Sequence, residues 1–203
     1  MEQQRNYQLK ILPLECQAFY LDNFLNRKVA TSLFDEIVMN YPVTNKKITM
    51  SDGSEYISET GSYIFADENL TSYDSIPKVW GGRSVWTESL SKLRDNIKDI
   101  TGVHFHVARC VFYQDGNEGV EFHRDLPAYG STSNIASLSL GAEREFVFRK
   151  LADPRECYSI VLSSGSLLFM GKGCQDLYDH ALPRNKSCGT ARLNITFRTY
   201  GWE

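Results

Sequence analysis

The sequence has no C-x-x-C pair, and its five cysteines are scattered along 203 residues. An odd, dispersed set argues against a disulfide framework and against a cysteine zinc site. We therefore expect reduced thiols and an intracellular location, in cytoplasm or nucleus. No apolar run approaches the roughly 18 residues that span a bilayer, and the N-terminus has no basic segment leading into an apolar one. Neither membrane insertion nor a secretory signal is expected.

Net positive charge is also lacking, since the formal charge is −3 at pH 7 and the pI is about 5.8. An acidic protein gains no overall attraction to phosphate, so contact with nucleic acid would have to come from local basic patches. The candidates are Arg27-Lys28, Lys46-Lys47, Lys78 with Arg83, and Arg149-Lys150. The competing interpretation is that they are ordinary solvated pairs.

Low-complexity stretches, repeats and linkers are absent, while 42% of the residues are hydrophobic and 12% are aromatic. This composition excludes disorder and supplies one buried core. We predict a monomer with a single domain over residues 1–203, in which residues 1–102 hold two helices and a lid and residues 103–203 hold a β-rich core.

The first half mixes strand and helix signals. Gln17–Phe24 alternates like a strand, and Asn26–Met39 and Trp86–Ile100 repeat apolar residues at helical spacing. Between the helices, Ser51-Asp52-Gly53-Ser54 predicts a hairpin turn in a polar segment, and Thr101-Gly102 ends the second helix.

Beyond Gly102 the pattern changes to short strands separated by turns, one of them at Asp115-Gly116-Asn117. This pattern predicts a sandwich or barrel of the jelly-roll kind, and hence an α+β, β-rich fold with two N-terminal helices packed on the β core. The predicted strands are His104–Tyr113, Val120–Arg124, Ile135–Leu140, Glu145–Lys150, Tyr158–Leu162, Ser166–Met170 and Ala191–Tyr200.

Two of the four histidines lie where a metal site would need them. His123 and Asp125 are two residues apart, so an extended backbone projects both from one face. His180 could supply a third ligand, although a hydrogen-bonded structural histidine is the competing interpretation. Two histidines and one carboxylate that leave coordination positions open suit Fe(II), which must also bind a chelating co-substrate and O2.

The same triplet also begins His123-Arg124-Asp125-Leu126, which spells part of a protein-kinase catalytic loop. That loop needs an asparagine five residues after the aspartate, where this chain has Gly130. The glycine-rich phosphate loop and the DFG motif are missing too. The sequence therefore excludes a protein kinase.

The C-terminal strand separates its side chains into two classes. Leu193, Ile195 and Phe197 share one face, and the other face carries two guanidiniums, an amide and a hydroxyl, from Arg192, Asn194, Thr196 and Arg198. Such a polar face is costly to bury without an anionic partner, and a dicarboxylate such as 2-oxoglutarate would provide one. A solvent-facing edge strand is the alternative.

In this order, the motifs resemble the AlkB family of nucleic-acid dealkylating dioxygenases, especially its animal-type DNA-repair branch, over roughly residues 56–200. The matching pieces are Tyr113-Gln114-Asp115-Gly116, His123-Arg124-Asp125, Ile135–Ala142, Gly165-Ser166-Leu167-Leu168, His180-Ala181-Leu182-Pro183 and Arg192-x-Asn194-x-Thr196-Phe197-Arg198.

The resemblance implies a double-stranded β-helix, with Fe(II) at His123, Asp125 and His180. It implies 2-oxoglutarate as co-substrate with O2, and release of an aldehyde from an alkylated base. The residues implied to bind 2-oxoglutarate are Tyr113, Arg192, Asn194, Thr196 and Arg198, with Arg192 on the distal carboxylate and Arg198 either on the other end or bracing the site.

On the substrate side, Tyr63-Ile64-Phe65 resembles the family's Tyr-x-Phe, whose phenylalanine stacks on an extruded base. Packing in the core or a hairpin is the other interpretation of these two rings. The chain departs from the family at Val111, where an asparagine is usual, and at Leu126 and Pro127, where acidic residues help to read the damaged base.

Three functions follow as hypotheses. The first is an Fe(II)/2-oxoglutarate dioxygenase that removes alkyl groups from DNA or RNA bases. The second keeps the iron chemistry but acts on a protein side chain or a small metabolite, which Leu126, Pro127 and the acidic pI favour. The third, supported by the loss of the asparagine at Val111, is a non-catalytic binding module.

Overall fold

The computed structural model describes residues 7–50, 52–72, 75–76 and 78–201. Within these ranges the chain forms three α-helices and fourteen strands. The helices are α1 (Arg27–Asn40), α2 (Glu88–Thr101) and α3 (Cys174–Leu177). The strands are β1 (Gln8–Ile11), β2 (Ala18–Asp22), β3 (Lys47–Thr49), β4 (Glu55–Ile57), β5 (Gly61–Ala66), β6 (Gly82–Val85), β7 (Val107–Tyr113), β8 (Val120–His123), β9 (Ile135–Gly141), β10 (Arg144–Lys150), β11 (Cys157–Leu162), β12 (Leu167–Met170), β13 (Tyr178–Leu182) and β14 (Arg192–Arg198).

Side-chain caps begin the two long helices, within two residues of the predicted starts. Asn26 accepts a hydrogen bond from the Val29 amide at 3.0 Å, and Thr87 accepts one from Leu90 at 3.1 Å. Gly102 ends α2 with a φ of 72°, which a residue without Cβ adopts at little cost. None of the helices in the described ranges is both long and apolar enough to cross a bilayer.

The strands form two large sheets. The major sheet has eight strands in the order β1-β2-β12-β9-β14-β7-β5-β6, and the minor sheet has four in the order β11-β10-β13-β8. In the major sheet β14 lies between β9 and β7, with Arg192 opposite Tyr113 on one side and Gly141 on the other. In the minor sheet β13 pairs with β8, which sets His180 directly opposite His123.

The two sheets pack face to face through apolar side chains from both. Leu168 and Met170 of the major sheet share a buried cluster with Phe146, Phe148 and other residues of the minor sheet. The opposite face of the major sheet is covered by α1 and α2, through residues such as Leu33 and Leu93. This is a jelly-roll-like β core, as the sequence predicted, and the helices lie outside it.

A separate hairpin joins β3 to β4. Its turn contains Gly53 with a φ of 84°, and Ser54 donates its amide to Asp52 at 2.9 Å. This agrees with the predicted turn, although Ser51 lies outside the described residues. Tyr56 and Ile57 are more than half exposed on the hairpin, at 55% and 66%.

Four strands were not predicted, namely β1, β5, β6 and β13. Every residue of β5 and of β13 is buried, so neither strand shows the alternation of apolar and polar residues that marks a half-exposed strand. β1 is the opposite case, since all four residues are exposed and Leu9 and Ile11 are apolar. Its pairing with β2 alone at the sheet edge explains the exposure.

Candidate metal and co-substrate site

His123, Asp125 and His180 come together between the two sheets. One candidate ligand atom from each lies within 4.8 Å of the others. The imidazole centroids of the two histidines are 4.5 Å apart, and His180 Nε2 is 3.6 Å from Asp125 Oδ2. The geometry therefore brings together the three residues predicted as ligands.

The local strand geometry explains this convergence. His123 is the last residue of β8 and pairs across the sheet with His180 on β13. The register between these strands shifts after that pair, so Val120 lies opposite Leu182. This irregularity in the ladder turns both His123 and Val120 toward the same cavity.

Hydrogen bonding fixes the tautomer of His123. Its Nδ1 lies 2.8 Å from the carbonyl oxygen of Glu121. A carbonyl can only accept, so Nδ1 carries the proton and Nε2 keeps its lone pair for a metal.

His180 is only 5% exposed and stacks on Phe146, with the ring centroids 5.1 Å apart. Burial lowers the pKa of His180 to about 4, although the carboxylate of Asp125 opposes the shift. At neutral pH the imidazole is therefore uncharged, which is the form that coordinates a metal.

Gln175 in α3 makes two hydrogen bonds to Asp125. Its Oε1 accepts the Asp125 amide at 2.9 Å, and its Nε2 donates to Asp125 Oδ2 at 3.4 Å. No sequence pattern indicates this contact, because Gln175 is 50 residues away from Asp125 and belongs to no metal motif. Next to it, Cys174 Sγ lies 2.6 Å from Cys16 Sγ, which ties α3 to the chain before β2.

Arg192 provides a buried cation with capacity to bind an anion. It is 1% exposed, donates from Nη2 to Ser139 Oγ at 3.0 Å and to Asn194 Oδ1 at 2.8 Å, and its Nε has no hydrogen-bond partner. No carboxylate of the described chain pairs with it. Burial lowers the pKa of Arg192 to about 10, so it remains cationic at neutral pH.

The neighbours of Arg192 form a polar row along β14. Asn194 Nδ2 donates to Thr196 Oγ1 at 2.7 Å, and Ser137 Oγ donates to Asn194 Oδ1 at 3.1 Å. The Arg192 guanidinium lies 5.3 Å from the ring centroid of Tyr113, which is buried on the neighbouring strand. The opposite face of β14 is fully buried core, as its alternation predicted.

Arg198 contacts the metal-site loop. Its Nη1 is 3.7 Å from Asp125 Oδ1, and its Nη2 donates to the Leu126 carbonyl at 2.7 Å. Of the two roles that the sequence left open, these contacts match a residue that braces Asp125.

All eight predicted metal and co-substrate residues line one cavity of about 270 Å³. The donor set of two imidazoles and one carboxylate fits Fe(II), and the unpaired buried guanidinium of Arg192 fits a carboxylate. Val111 also lines the wall, at the position where the family usually has asparagine. The full lining set is Thr60, Arg109, Val111, Tyr113, Val120, His123, Asp125, Ser137, Phe146, Met170, His180, Leu182, Arg192, Asn194, Thr196 and Arg198.

The structure places Tyr63 and Phe65 away from this cavity. They pair with Cys110 and Ala108 on β7, and these face the helix-covered core. Tyr63 is 6% exposed with its hydroxyl on Ser84, and Phe65 is fully buried. The predicted stacking on a base therefore does not fit this geometry, because both rings are already covered by the core.

A second group of potential ligands consists of Asp67, His104 and His106. Asp67 Oδ1 already accepts from Trp86 at 2.7 Å and from Arg94 at 3.0 Å. His106 Nδ1 accepts the Tyr200 amide at 3.2 Å, which places the proton of the neutral ring on Nε2. These contacts are those of a structural network rather than of an open metal site.

Several of the candidate basic pairs have acidic partners. Lys46 pairs with Glu118 and Lys47 with Glu55. Arg149 pairs with Asp179, and Lys150 with Glu15 and Glu156. These contacts reduce the positive potential that such pairs offer to phosphate.

The sequence of the chain is similar to those of known proteins that share one family. A family model for the 2OG-Fe(II) oxygenase superfamily matches residues 17–198. The alpha-ketoglutarate-dependent dioxygenase alkB homolog 3 of Rattus norvegicus is 37% identical over 123 residues, covering 56% of this chain and 42% of the relative. The homolog from Bos taurus is 26% identical and covers 98% of this chain and 72% of the relative.

The DNA oxidative demethylase ALKBH2 of Mus musculus is 35% identical over 56% of this chain and 51% of its own length. The solved structure of OsALKBH1 superimposes with a TM-score of 0.68 at 19% identity, covering 95% of this chain and all of that one. The chain spans less than half the length of the rat and mouse alkB homolog 3 proteins. The family match, which covers most of the described chain, shows that this protein belongs to the 2OG-Fe(II) oxygenase superfamily.

Proposed function

We propose that the chain is an Fe(II)- and 2-oxoglutarate-dependent dioxygenase that oxidatively removes alkyl groups from nucleic-acid bases. The observation that carries the proposal is the cavity that combines the His123, Asp125 and His180 ligand set with the unpaired Arg192 guanidinium. The relatives named as alkB homolog 3 and as a DNA oxidative demethylase support the substrate class.

The three predicted metal ligands and the residues that support them have distinct roles. His123, Asp125 and His180 would hold iron, with Gln175 and Arg198 fixing the carboxylate. Bound iron and 2-oxoglutarate would supply the oxidation of an N-alkyl carbon by O2, with release of succinate and CO2. The hydroxylated carbon then leaves the base nitrogen as an aldehyde.

The co-substrate end of the cavity is built for a diacid. Arg192 would form charge-assisted hydrogen bonds to the distal carboxylate, because it is buried and has no carboxylate partner in the described chain. Ser139 and Asn194 hold one terminal nitrogen of its guanidinium, and the Tyr113 ring lies beside it. Phe146 and Leu182 contribute apolar wall that limits water.

We further propose that the β3–β4 hairpin is the lid over the substrate. Thr60, three residues beyond β4, lines the cavity, so the hairpin leads directly to its mouth. The exposed Tyr56 and Ile57 on the hairpin are available to contact a base, whereas Tyr63 and Phe65 are not.

We also propose that the protein is a monomer inside the cell. Its five cysteines are free thiols, which suits a reducing compartment.

The test is incubation of the protein with Fe(II), 2-oxoglutarate, ascorbate and a panel of N1- and N3-methylated oligonucleotides. We expect aldehyde and succinate in equal amounts, both abolished by Asp125→Ala, which removes a ligand. Mass spectrometry of the nucleosides identifies the base. Succinate formed without aldehyde across the whole panel would refute dealkylation of nucleic acid and favour a protein or metabolite substrate. No turnover and no metal binding would leave only a binding module.

A further inference from the structure

Arg109 is a third guanidinium on the cavity wall, in addition to those of Arg192 and Arg198. It lies on β7, where it pairs with Thr196 of β14 and Ile64 of β5. Alternation along β7 places Arg109 on the same face as Val111 and Tyr113, and all three line the cavity.

Within the described chain, Arg109 has neither a hydrogen bond nor a carboxylate partner. Its Nε is buried without an acceptor, and its guanidinium lies 4.8 Å from the ring centroid of Trp80. The other two arginines of the cavity are better satisfied, because Arg198 bonds to the Leu126 carbonyl and Arg192 to Ser139 and Asn194. Burial lowers the pKa of Arg109, because a buried guanidinium loses the hydration that stabilises its charge.

The net charge of the cavity with metal and 2-oxoglutarate bound would also favour a further anion. Three guanidiniums and a divalent metal carry five positive charges, against three negative charges from Asp125 and 2-oxoglutarate together. Because Arg192 would be neutralised by the distal carboxylate, the excess of two positive charges falls on the part of the cavity that holds Arg109 and Arg198, and of these two only Arg198 has a carboxylate nearby, Asp125 at 3.7 Å. In the β7–β14 register the backbone of Arg109 lies four positions away from that of Arg192. At the usual rise per residue this separates the two backbone positions by about 13 Å along the strands.

We propose that Arg109 binds a second oxyanion in this cavity, a carboxylate or a phosphate, separate from the distal carboxylate assigned to Arg192. The proposal rests on the proposed function and refines its substrate side. Two sources share this chemistry. One is the metal-proximal carboxylate of 2-oxoglutarate, and the other is a phosphate of the nucleic-acid substrate. In either case the anion would replace the contact with the Trp80 ring by charge-assisted hydrogen bonds.

The experiment compares Arg109→Gln, which removes the charge, with Arg109→Lys, which keeps it. Arg155→Gln serves as a matched control, because Arg155 is exposed and, among the described residues, its ion-pair partner is Asp153 alone. Mn(II)-loaded protein is titrated with 2-oxoglutarate in one arm and with a methylated oligonucleotide in the other, by calorimetry and by tryptophan fluorescence. Trp80→Phe identifies the part of the fluorescence change that arises beside Arg109.

We expect Arg109→Gln to weaken one of the two ligands by about tenfold to a hundredfold, while Arg109→Lys loses much less and Arg155→Gln loses nothing. Weaker 2-oxoglutarate binding identifies the carboxylate, and weaker oligonucleotide binding with a shallower salt dependence identifies the phosphate. Unchanged affinity in both arms, for a variant with wild-type circular dichroism, overturns the proposal.

The two titrations distinguish a failure of the role of Arg109 from a failure of the proposed function. If wild type binds 2-oxoglutarate and Arg109→Gln behaves identically in both arms, the role of Arg109 fails while the proposed function stands. If wild type binds no 2-oxoglutarate, the proposed function fails, and the oligonucleotide arm still decides whether Arg109 binds an oxyanion. Wild-type protein that binds neither ligand overturns both.

Discussion

Asp125 is in contact with polar groups on three sides. His180 and Arg198 approach its two oxygens at 3.6 and 3.7 Å, and Gln175 accepts from its amide. A carboxylate held in this way has its orientation set before any metal arrives. Its supporting residues should therefore affect metal affinity without being ligands themselves.

We expect Gln175→Leu to weaken metal binding by roughly tenfold to a hundredfold, the usual effect of losing a residue that orients a ligand. Leucine keeps most of the buried volume but can neither accept from the Asp125 amide nor donate to its side chain. Titration with Co(II), followed by its visible absorption, measures the affinity.

Gln114→Leu is the control for this prediction, since Gln114 is exposed and lies outside the cavity-lining set. Equal Co(II) affinity for Gln175→Leu and wild type, with Gln114→Leu also unchanged, would mean that Asp125 is oriented without Gln175.

Spacing along the chain predicted the local groupings and the family resemblance added distant residues such as His180, but neither indicated Gln175 or Arg109. His123 and Asp125 are two apart on an extended segment, so their common direction follows from backbone geometry. Gln175 and Arg109 reach the site only through tertiary packing. For Tyr63 and Phe65, alternation showed that they share a face, but it could not show that this face is covered by helices.

His106, the residue before β7, is hydrogen-bonded to segments that follow β5 and end β14. Its amide donates to the Arg198 carbonyl at 3.0 Å, its carbonyl accepts from Asp67 at 3.0 Å, and its ring accepts from Tyr200. Segments next to the ends of β5, β7 and β14 therefore meet at one residue that carries a titratable side chain.

Burial, followed by the nearby His104, lowers the pKa of His106 below its ordinary value of 6.5. The unfolded chain therefore takes up a proton at a higher pH than the folded chain. The stabilisation from neutral His106 is present above about pH 6.5 and is lost as pH falls through the lower folded-state pKa. We expect the free energy of unfolding of wild type to fall more between pH 7 and 5 than that of His106→Gln.

Denaturant unfolding of metal-free protein at each pH measures this difference, because the metal-site histidines then contribute equally to both proteins. Parallel curves for wild type and His106→Gln would show that His106 does not couple pH to stability.

Helices and strands with one solvent-exposed face were predictable from the sequence, because their apolar and polar residues alternate with the period of the structure. The two long helices and most of the strands beyond Gly102 have such a side, and their predicted positions agree with the structure to within a few residues. β13, which carries His180, is buried throughout and follows α3 without a turn signal. Its identity depends on pairing with β10 and β8, which no local pattern encodes.

The first half of the chain contributes strands to the same sheet as the second half. β2 pairs with β12, and β5 pairs with β7. Residues of α1 and α2 share one buried cluster with β9 and β14. We therefore predict that residues 1–203 unfold as one domain.

A fragment of residues 103–203 should accordingly remain unfolded alone. Without β2 and β5, the hydrogen-bonding edges of β12 and β7 are exposed, and the face of β14 that carries Leu193, Ile195 and Phe197 loses its helices. Circular dichroism and denaturant unfolding of the fragment beside the full chain test this. A cooperative transition in the isolated fragment would contradict it.

The proposed iron ligands and the proposed diacid-binding residues belong to opposite walls of the β sandwich. His123 and His180 lie on the minor sheet, while Tyr113, Arg192 and Asn194 lie on the major sheet. Each set is therefore rigid within its own hydrogen-bonded wall, and only the side chains between the walls, such as Phe146, set the gap. Single substitutions that change the size of these side chains can therefore alter the width of the cavity, and so the substrates that fit it, while the proposed metal ligands and diacid-binding residues stay in place.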